Sequence, residues 1–561
     1  MKAEKNILQA LMKAAPRNDE ELARAKRAIA RKFGVGMVTN NWLLKIYREA
    51  IAQQKIEKTP WLELVLIKRP VRTLSGVAPL TVATKPFPCP GRCIYCPTDV
   101  RMPKSYLVSQ PAAARALRHK FHPFDQVHGR LEMYYANGHV PEKVDLRILG
   151  GTWSSYPKNY QTWFVKELYR GLNEYKIRPR KLSGRNKSKT RNSKFKTLQL
   201  LQKQNETATH RCIGMAIETR PDWVTMDEIK RFRRFGVTKV ELGVQHLDKT
   251  VQDLTKRDHY KEDVVTATKL LRDAGFKVVY HLMPNLPGST PEMDVAVFKE
   301  IFSDDGLKPD QLKIYPCVVL KQAYLYKWYQ AGRFKTYNDA TLIDILAQMK
   351  RVVPPYVRIE RIYRDIPAPD IIAGSKNINM RELVQKEMKR RGWKCKCIRC
   401  REVKDKLTPN HVGFRVLRTP RGTEQNSKLF TQKYNASQGT EHFISFESPD
   451  RTILYAFTRL RFPSEDIKNQ LPPLRNTAII RELHTYGQLA PITTNYSLPT
   501  THYSQHKGLG KRLLEEAEKI AKSRGYDTIA VISGVGVRGY YHKLGYKLEN
   551  EYGYMIKNLS A

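Results

Sequence analysis

The chain has no run of about 18 apolar residues, the length a helix needs to cross a bilayer's hydrocarbon, and this excludes a spanning segment. Its amino end, Met-Lys-Ala-Glu-Lys-Asn, shows none of the apolar stretch that leads a secreted chain, so the expectation is a cytoplasmic protein. Cysteine is scarce: there are eight in 561 residues, and six of those fall in two short clusters. That pattern excludes a disulfide framework and fits metal binding in a reducing compartment. Cys212 and Cys317 stand alone and read as small buried apolar residues. Acid is also short, with 54 Asp+Glu against 99 Lys+Arg and a net charge of +45. Such an excess repels itself unless a polyanion neutralises it. Nucleic acid is the first candidate and an anionic membrane surface the second. No internal repeat is visible. Apolar residues make up 41% and aromatics 10%, which excludes a disordered chain. At roughly 100–200 residues per domain, the length predicts three or four domains with substantial cores.

Among what is present, Cys89, Cys93 and Cys96 stand out, in Phe87-Pro-Cys-Pro-Gly-Arg-Cys-Ile-Tyr-Cys-Pro97. Three thiolates spaced C-x3-C-x2-C on a tight loop can hold three irons of a [4Fe–4S] cluster and leave the fourth open. The open iron can chelate the amino and carboxylate groups of S-adenosylmethionine and deliver one electron to its sulfonium. The plainer alternative is a zinc loop lacking a fourth ligand; Tyr95, an aromatic just before the last cysteine, favours the cluster. A second set, Cys395, Cys397 and Cys400, is spaced C-x-C-x2-C and reads as a zinc site with His411 as the candidate fourth ligand. A cluster of inert thiols and a second iron–sulfur centre are the alternatives.

Residues 1–75 read as a basic helical unit. Asn18 caps a helix that starts Asp19-Glu20-Glu21 and ends near Gly34, with Leu22, Ala25, Ile29 and Phe33 on one stripe and Arg24, Arg27 and Arg31 opposite. That basic face is either solvated or a tRNA contact. From 76 to about 365, strand-length runs (144–149, 212–217, 239–244, 277–282 and 311–315) alternate with helical stretches, which predicts βα units around a parallel sheet. Ligands then gather at the carboxyl ends of the strands. Inside this unit, Lys176 to Lys196 holds ten basic residues and no acidic one. It reads as a mobile loop, either solubilising or a clamp on phosphates. A connector at 366–430 carries the second cysteine cluster, and from 431 to 561 strands, a glycine turn and a helix follow.

Polar groups fall at the predicted strand ends. Gly150-Gly151-Thr152 lets backbone approach the methionine carboxylate and amine. Glu218 and Arg220 are placed for ribose and carboxylate, and Gln245 and His281 end two further strands. Near the carboxyl end, Gln505-His-Lys-Gly508-Leu-Gly510 runs into a helix from Lys511 to Ser523. Exposed N–H groups at such a helix start bind a pyrophosphate. With strands before it and Tyr540-Tyr541 after it, this order looks like the GNAT-type acetyltransferase fold, and CoA is the expected ligand. A tyrosine there, Tyr541 in this reading, can protonate the leaving thiolate, or both tyrosines only pack.

A radical S-adenosylmethionine unit and a CoA-binding unit in one basic chain resemble the catalytic subunit of Elongator, from about Arg69 to the carboxyl end. The most specific residues are the 89–97 loop, Gly150-Gly-Thr152, Ile217-Glu-Thr-Arg-Pro-Asp222, Gly243-Val-Gln245, Arg481-Glu-Leu-His484 and Ser533-Gly-Val-Gly536. The short cysteine spacing is similar to that of stand-alone bacterial and archaeal members. The resemblance implies an α/β architecture: a partial parallel (βα) barrel of the radical SAM type joined to a GNAT-type domain, with a helical N-terminal unit. It further implies carboxymethylation of the tRNA wobble uridine. A 5′-deoxyadenosyl radical would take hydrogen from the acetyl-CoA methyl, and the carbon radical would add to C5 of the uridine. The same analogy puts Lys143, Glu482, Leu483, His484 and Thr485 on acetyl-CoA and Leu509, Gly510 and Lys511 on its pyrophosphate. The basic loop and the N-terminal unit would grip the anticodon stem-loop, whose uridine must leave its stack. A homodimer is compatible with this reading, and Elongator-like partners are left open. Two other functions stay open at this point: a protein lysine acetyltransferase with a structural cluster domain, and a non-catalytic tRNA-binding scaffold.

Overall fold

Asn18 accepts a hydrogen bond from the Glu21 backbone N–H at 2.9 Å and so starts the helix Asp19–Phe33, and Gly34 closes it at φ 59°. The computed structural model describes residues 2–16, 18–57, 59–67, 73, 75–176, 197–403, 406–410, 413–417, 427–487 and 508–560. Three more helices, Lys2–Ala14, Asn40–Ala52 and Pro60–Leu66, complete the N-terminal unit around Leu8, Leu22, Ile29, Leu43 and Tyr47. Arg24, Arg27 and Arg31 are exposed on the outer face. No helix among the described residues is long and apolar enough to cross a membrane.

The second unit is built on strands β1 (Val77–Ala83), β2 (Lys143–Leu149), β3 (Arg211–Thr219), β4 (Lys239–Gln245), β5 (Lys277–Leu282), β6 (Gln311–Ile314), a two-residue β7 (Val319–Leu320) and β8 (Arg358–Arg361). They pair β1-β2-β3-β4-β5-β6-β8, all parallel, while β7 pairs with β9 (Ile371–Ala373) outside the main sheet. This is the partial barrel. Its outward face is apolar: Val144, Leu146 and Ile148 of β2 pack under the helices. Its inward face is charged, with Arg147 and Lys239 paired to Glu360 and Lys313 paired to Glu241. Of the basic insertion, residues 177–196 lie outside the described residues.

The connector carries a helix, Met380–Arg390, and a hairpin of β10 (Lys406–Asn410) and β11 (Gly413–Leu417). A second sheet follows, from β12 (Lys428–Ala436), β13 (Gly439–Glu447), β14 (Leu454–Phe462), β15 (Thr477–Thr485), β16 (Thr528–Val531), β17 (Lys547–Leu548) and β18 (Met555–Asn558). It is ordered β12-β13-β14-β15-β16-β18-β17 and is antiparallel except for β15–β16. That parallel pair spans only residues 477–480 of β15, so among the described residues Arg481–Thr485 have no strand partner on that side. The helix Leu509–Ser523 packs Leu513, Leu514 and Ala517 on this sheet.

The second sheet is docked on the amino ends of the barrel strands. The turn 534–536 lies against β3 so closely that a Cβ on Gly534 would come within 2.0 Å of the Ile213 carbonyl oxygen. One apolar core runs through both units, joining Met215 and Phe276 to Ile479, Ile532 and Val535.

Candidate functional site

The cysteine loop lies over the carboxyl ends of the barrel strands. Ile94 N–H donates to the Thr255 carbonyl at 3.1 Å, and Leu325 N–H donates to the Ile94 carbonyl at 2.8 Å. These bonds hold the loop between two segments distant in sequence. Cys89, Cys93 and Cys96 all line one cavity of about 720 Å³, together with Gly151, Glu218, Arg220 and Gln245.

Arg257 Nη1 donates to Cys93 Sγ at 3.3 Å. Burial alone would push the Cys93 thiol up, but the Arg257 guanidinium outweighs it and brings the group below its ordinary value. Burial and the neighbouring Cys93 push the Cys96 thiol up to about 12. Arg220 is held by Asp222, at 2.9 Å to each carboxylate oxygen, and by the Asp258 carbonyl at 2.9 Å. Its third nitrogen, Nη1, is buried with no partner, and so is Oε1 of Gln245. Glu218 accepts from the Tyr106 hydroxyl at 2.7 Å.

Three thiols on a shared wall, with an orphaned guanidinium nitrogen and amide oxygen beside them, fit an iron–sulfur cluster and the charged end of S-adenosylmethionine. Among the described residues, ligand atoms gather within 4.8 Å only in Cys395–Cys397–Cys400 and Glu218–Glu241–His281. The Cys89 trio is set wider than that. Gly151, at φ 72°, reaches the cavity, whereas the space beside Gly150 is filled by Thr84 and Tyr156. Sequence reasoning missed Arg257, Glu241, Lys313 and Tyr106. Glu241 and Lys313 could have been found from charge: a barrel strand that alternates ionic and apolar residues, as Lys239-Val-Glu-Leu does, has an ionic inner face.

Cys395, Cys397 and Cys400 lie between the helix Met380–Arg390 and β8, with Lys350 Nζ 3.6 Å from Cys400 Sγ. Mutual hydrogen bonds push Cys395 up and Cys400 down. This donor set fits one soft metal ion. His411 lies outside the described residues.

On the second sheet, Leu483 and Thr485 of β15 face the start of the helix Leu509–Ser523. A Cβ on Gly510 would stand 3.2 Å from the Tyr540 hydroxyl, 3.7 Å from Thr485 and 3.9 Å from Leu483. Gly508, at φ 84°, opens the helix, and the N–H groups of Leu509, Gly510 and Lys511 have no intrahelical partner. Gln505 lies outside the described residues. Tyr540 is 41% exposed, while Tyr541 is buried in the apolar core against Tyr546. Glu482 is turned inward, where Arg459 Nε donates to it at 2.9 Å and Lys277 stands at 3.7 Å. His484 lies in a cluster with Phe457 and Tyr486, and burial lowers its pKa to about 4. Lys143, half-buried at the amino end of β2 and away from the cavity, is pushed down by burial and by Arg211. The structure thus forms two candidate sites, the cysteine-walled cavity at the carboxyl ends of the barrel strands and the cleft between β15 and the helix Leu509–Ser523.

Family models match in three stretches: the Radical SAM superfamily at 190–301, the Radical SAM C-terminal domain at 309–390 and the Acetyltransferase (GNAT) family at 502–546. The chain is 41% identical to a tRNA uridine(34) acetyltransferase of Methanocaldococcus jannaschii, over 93% of this chain and 91% of that one. It is 37% identical to Elongator complex protein 3 of Saccharomyces cerevisiae, over 86% and 84%. Its structure resembles that of the archaeal Methanocaldococcus infernus Elp3 with an N-terminal deletion, with a TM-score of 0.69 and 38% identity over 86% of this chain and 99% of that one.

Proposed function

Since this chain belongs to the family of tRNA uridine(34) acetyltransferases and Elongator complex protein 3, we propose that it carboxymethylates C5 of the wobble uridine in tRNA, from S-adenosylmethionine and acetyl-CoA. One observation carries the reading: a cavity walled by three cysteines and an acetyltransferase cleft are built on two sheets that one apolar core joins.

Cys89, Cys93 and Cys96 would hold the [4Fe–4S] cluster. Bound there with S-adenosylmethionine, it supplies a carbon-centred radical able to take hydrogen from a methyl group. Arg220 Nη1, Glu218, Gly151 and Gln245 position the methionine and ribose groups by hydrogen bonds. In the second site, the Leu509–Lys511 N–H groups hold the pyrophosphate of acetyl-CoA, and the open edge of β15, from Glu482 to Thr485, receives its pantetheine arm. The Tyr540 hydroxyl, beside Gly510, donates the proton to the leaving thiolate; Tyr541 shapes the core beneath it. A zinc ion on Cys395, Cys397 and Cys400 ties the connector (366–430) to the barrel (76–365) and to the acetyltransferase unit (431–561). The helical unit (1–75) and the basic insertion meet the anticodon stem-loop, where the excess of 99 Lys+Arg over 54 Asp+Glu suits a polyanion.

Nucleosides from a reaction with S-adenosylmethionine, acetyl-CoA, a reductant and bulk tRNA, read by mass spectrometry, test this. 5-Carboxymethyluridine is expected with the native chain and absent with Cys93→Ser, while acetyl-CoA still binds the variant. Carboxymethyluridine from the serine variant, or acetylated lysine as the only product, would overturn it.

A further inference from the structure

Next to Glu218, the cavity is lined by ionic side chains that hold neither the cluster nor S-adenosylmethionine in the reading above. There Glu241, His281 and Lys313, from the adjacent strands β4, β5 and β6, point inward. Glu241 Oε2 accepts from His281 Nε2 at 2.8 Å and also from the Lys313 ammonium. His281 and Lys313 are register partners on neighbouring strands. Both contacts fall on Oε2, which leaves Oε1 of Glu241 and the remaining Lys313 N–H groups for a ligand. Tyr315 and Tyr363 line the same space. The Tyr315 ring lies 5.5 Å from that of His281, and the Tyr363 hydroxyl is buried without a partner. An ionic group so deeply placed costs desolvation that an apolar filling would avoid. It is therefore better explained by recognition than by stability.

Resting on the reading that the substrate is a uridine, we propose that the Lys313–Glu241 pair reads the imide edge of the extruded base. Uracil presents O4, an acceptor, beside N3–H, a donor. Lys313 donates to the first and Glu241 Oε1 accepts from the second. Cytosine presents an amino donor and an N3 acceptor at the same two places, so each would face a group of its own kind, desolvated and unpaired. His281 is the positioning residue, fixing the Glu241 carboxylate from the side opposite Lys313. The flat faces of Tyr315 and Tyr363 offer the stacking that the base loses on leaving its loop. The pair stays ionised in the folded chain: despite burial, Lys313 is raised above its ordinary value by Glu241.

Three anticodon stem-loop RNAs, identical except for uridine, cytidine or 3-methyluridine at the wobble position, test this by titration against the reconstituted native chain. Uridine is expected to bind tighter than the other two by on the order of ten-fold. In Lys313→Met the uridine RNA drops to the cytidine level, while affinity for the cytidine RNA and for S-adenosylmethionine is kept. Should that variant melt early because Glu241 is left unpaired, the double substitution Lys313→Met/Glu241→Gln removes both charges together and carries the same expectation. Equal binding of the three RNAs by the native chain would overturn the proposal. So would a uridine preference that survives in the variants, or a loss of S-adenosylmethionine binding with them. Carboxymethyluridine is measured alongside. Its absence with the native chain sinks the functional reading, whereas its presence with an unchanged base preference sinks only this one.

Discussion

At the scale of single residues, Gly91 shows why the cysteine loop tolerates so little. A Cβ there would stand 2.6 Å from Arg220 Nη1 and 3.6 Å from Cys93 Sγ. Arg220 cannot swing away, because Asp222 and the Asp258 carbonyl hold the rest of its guanidinium. Gly91→Ala should therefore shift the loop at a cost of about 1–3 kcal/mol, the range for overpacking a filled site. Iron content after reconstitution should fall with it, and full iron loading at an unchanged melting temperature would contradict this. His442 makes a second case. It is buried against Phe462 on β13, and neither ring nitrogen has a partner. Burial, then Arg524 and Lys433, lower its pKa to about 4, against about 6.5 in an unfolded chain. Above 6.5 both states are neutral there and the group costs nothing in protonation. Between 6.5 and 4 the unfolded chain takes up a proton that the folded chain refuses, so stability falls as pH drops through that window. His442→Phe should raise stability by about 1 kcal/mol at neutral pH, since it removes an unsatisfied polar ring. It should also flatten part of the loss of melting temperature between pH 6.5 and 4; a variant that tracks the native curve in parallel would show His442 is not a source of the slope.

At the scale of elements, the opening between β15 and the helix Leu509–Ser523 exists because β16 pairs with only the first four residues of β15. Gly510 keeps that opening clear beneath Tyr540. Gly510→Val fills it with branched methyl groups, and the acetyl-CoA dissociation constant, read by calorimetry, should rise at least ten-fold. Affinity for S-adenosylmethionine should not change, because none of the residues around Gly510 lines the cysteine-walled cavity. Native affinity for acetyl-CoA in this variant would place the ligand elsewhere. The elements themselves were largely legible in the sequence. The predicted strand at 277–282 is β5 as observed, and the helix expected at 511–523 begins two residues earlier. The Gly508 turn was legible because φ above zero requires a residue of that kind. The register shift opposite Arg459 and Leu460 was not, since a bulge follows from how two strands meet rather than from either strand's pattern. For the same reason the cysteines, Glu218, Arg220 and Gln245 could be singled out by type and spacing, while Arg257 could not. Its importance lies in reaching Cys93, 164 residues away in sequence.

At the scale of the whole molecule, the two catalytic units are joined by buried charge as well as by a common apolar core. Arg272, Arg459, Arg461 and Arg481 face Asp273, Asp310, Glu441 and Glu482, four guanidiniums against four carboxylates. Asp310, at the amino end of β6, holds Arg481 of β15 through bonds of 2.8 and 2.6 Å and stands 3.4 Å from Arg459 and 3.7 Å from Arg272. Burial would push the Asp310 carboxyl up, but Arg481, Arg272 and Arg459 together hold it far below the usual carboxylate range. Such a group stabilises the fold at neutral pH less through net attraction than by leaving no guanidinium unanswered. Replacing the whole set with apolar residues could be neutral, but removing one member cannot be. Asp310→Ala takes one carboxylate from three buried arginines at once and should cost about 3–5 kcal/mol. Because Arg481 belongs to β15 and Arg272 to the barrel, the loss falls on both units at once. Scanning calorimetry should then show the barrel and the acetyltransferase unit unfolding together, at a lower temperature than in the native chain. Two separated transitions, with only one of them moved, would mean that the buried charges belong to one unit and do not lock the radical site and the acyl site into a fixed relation.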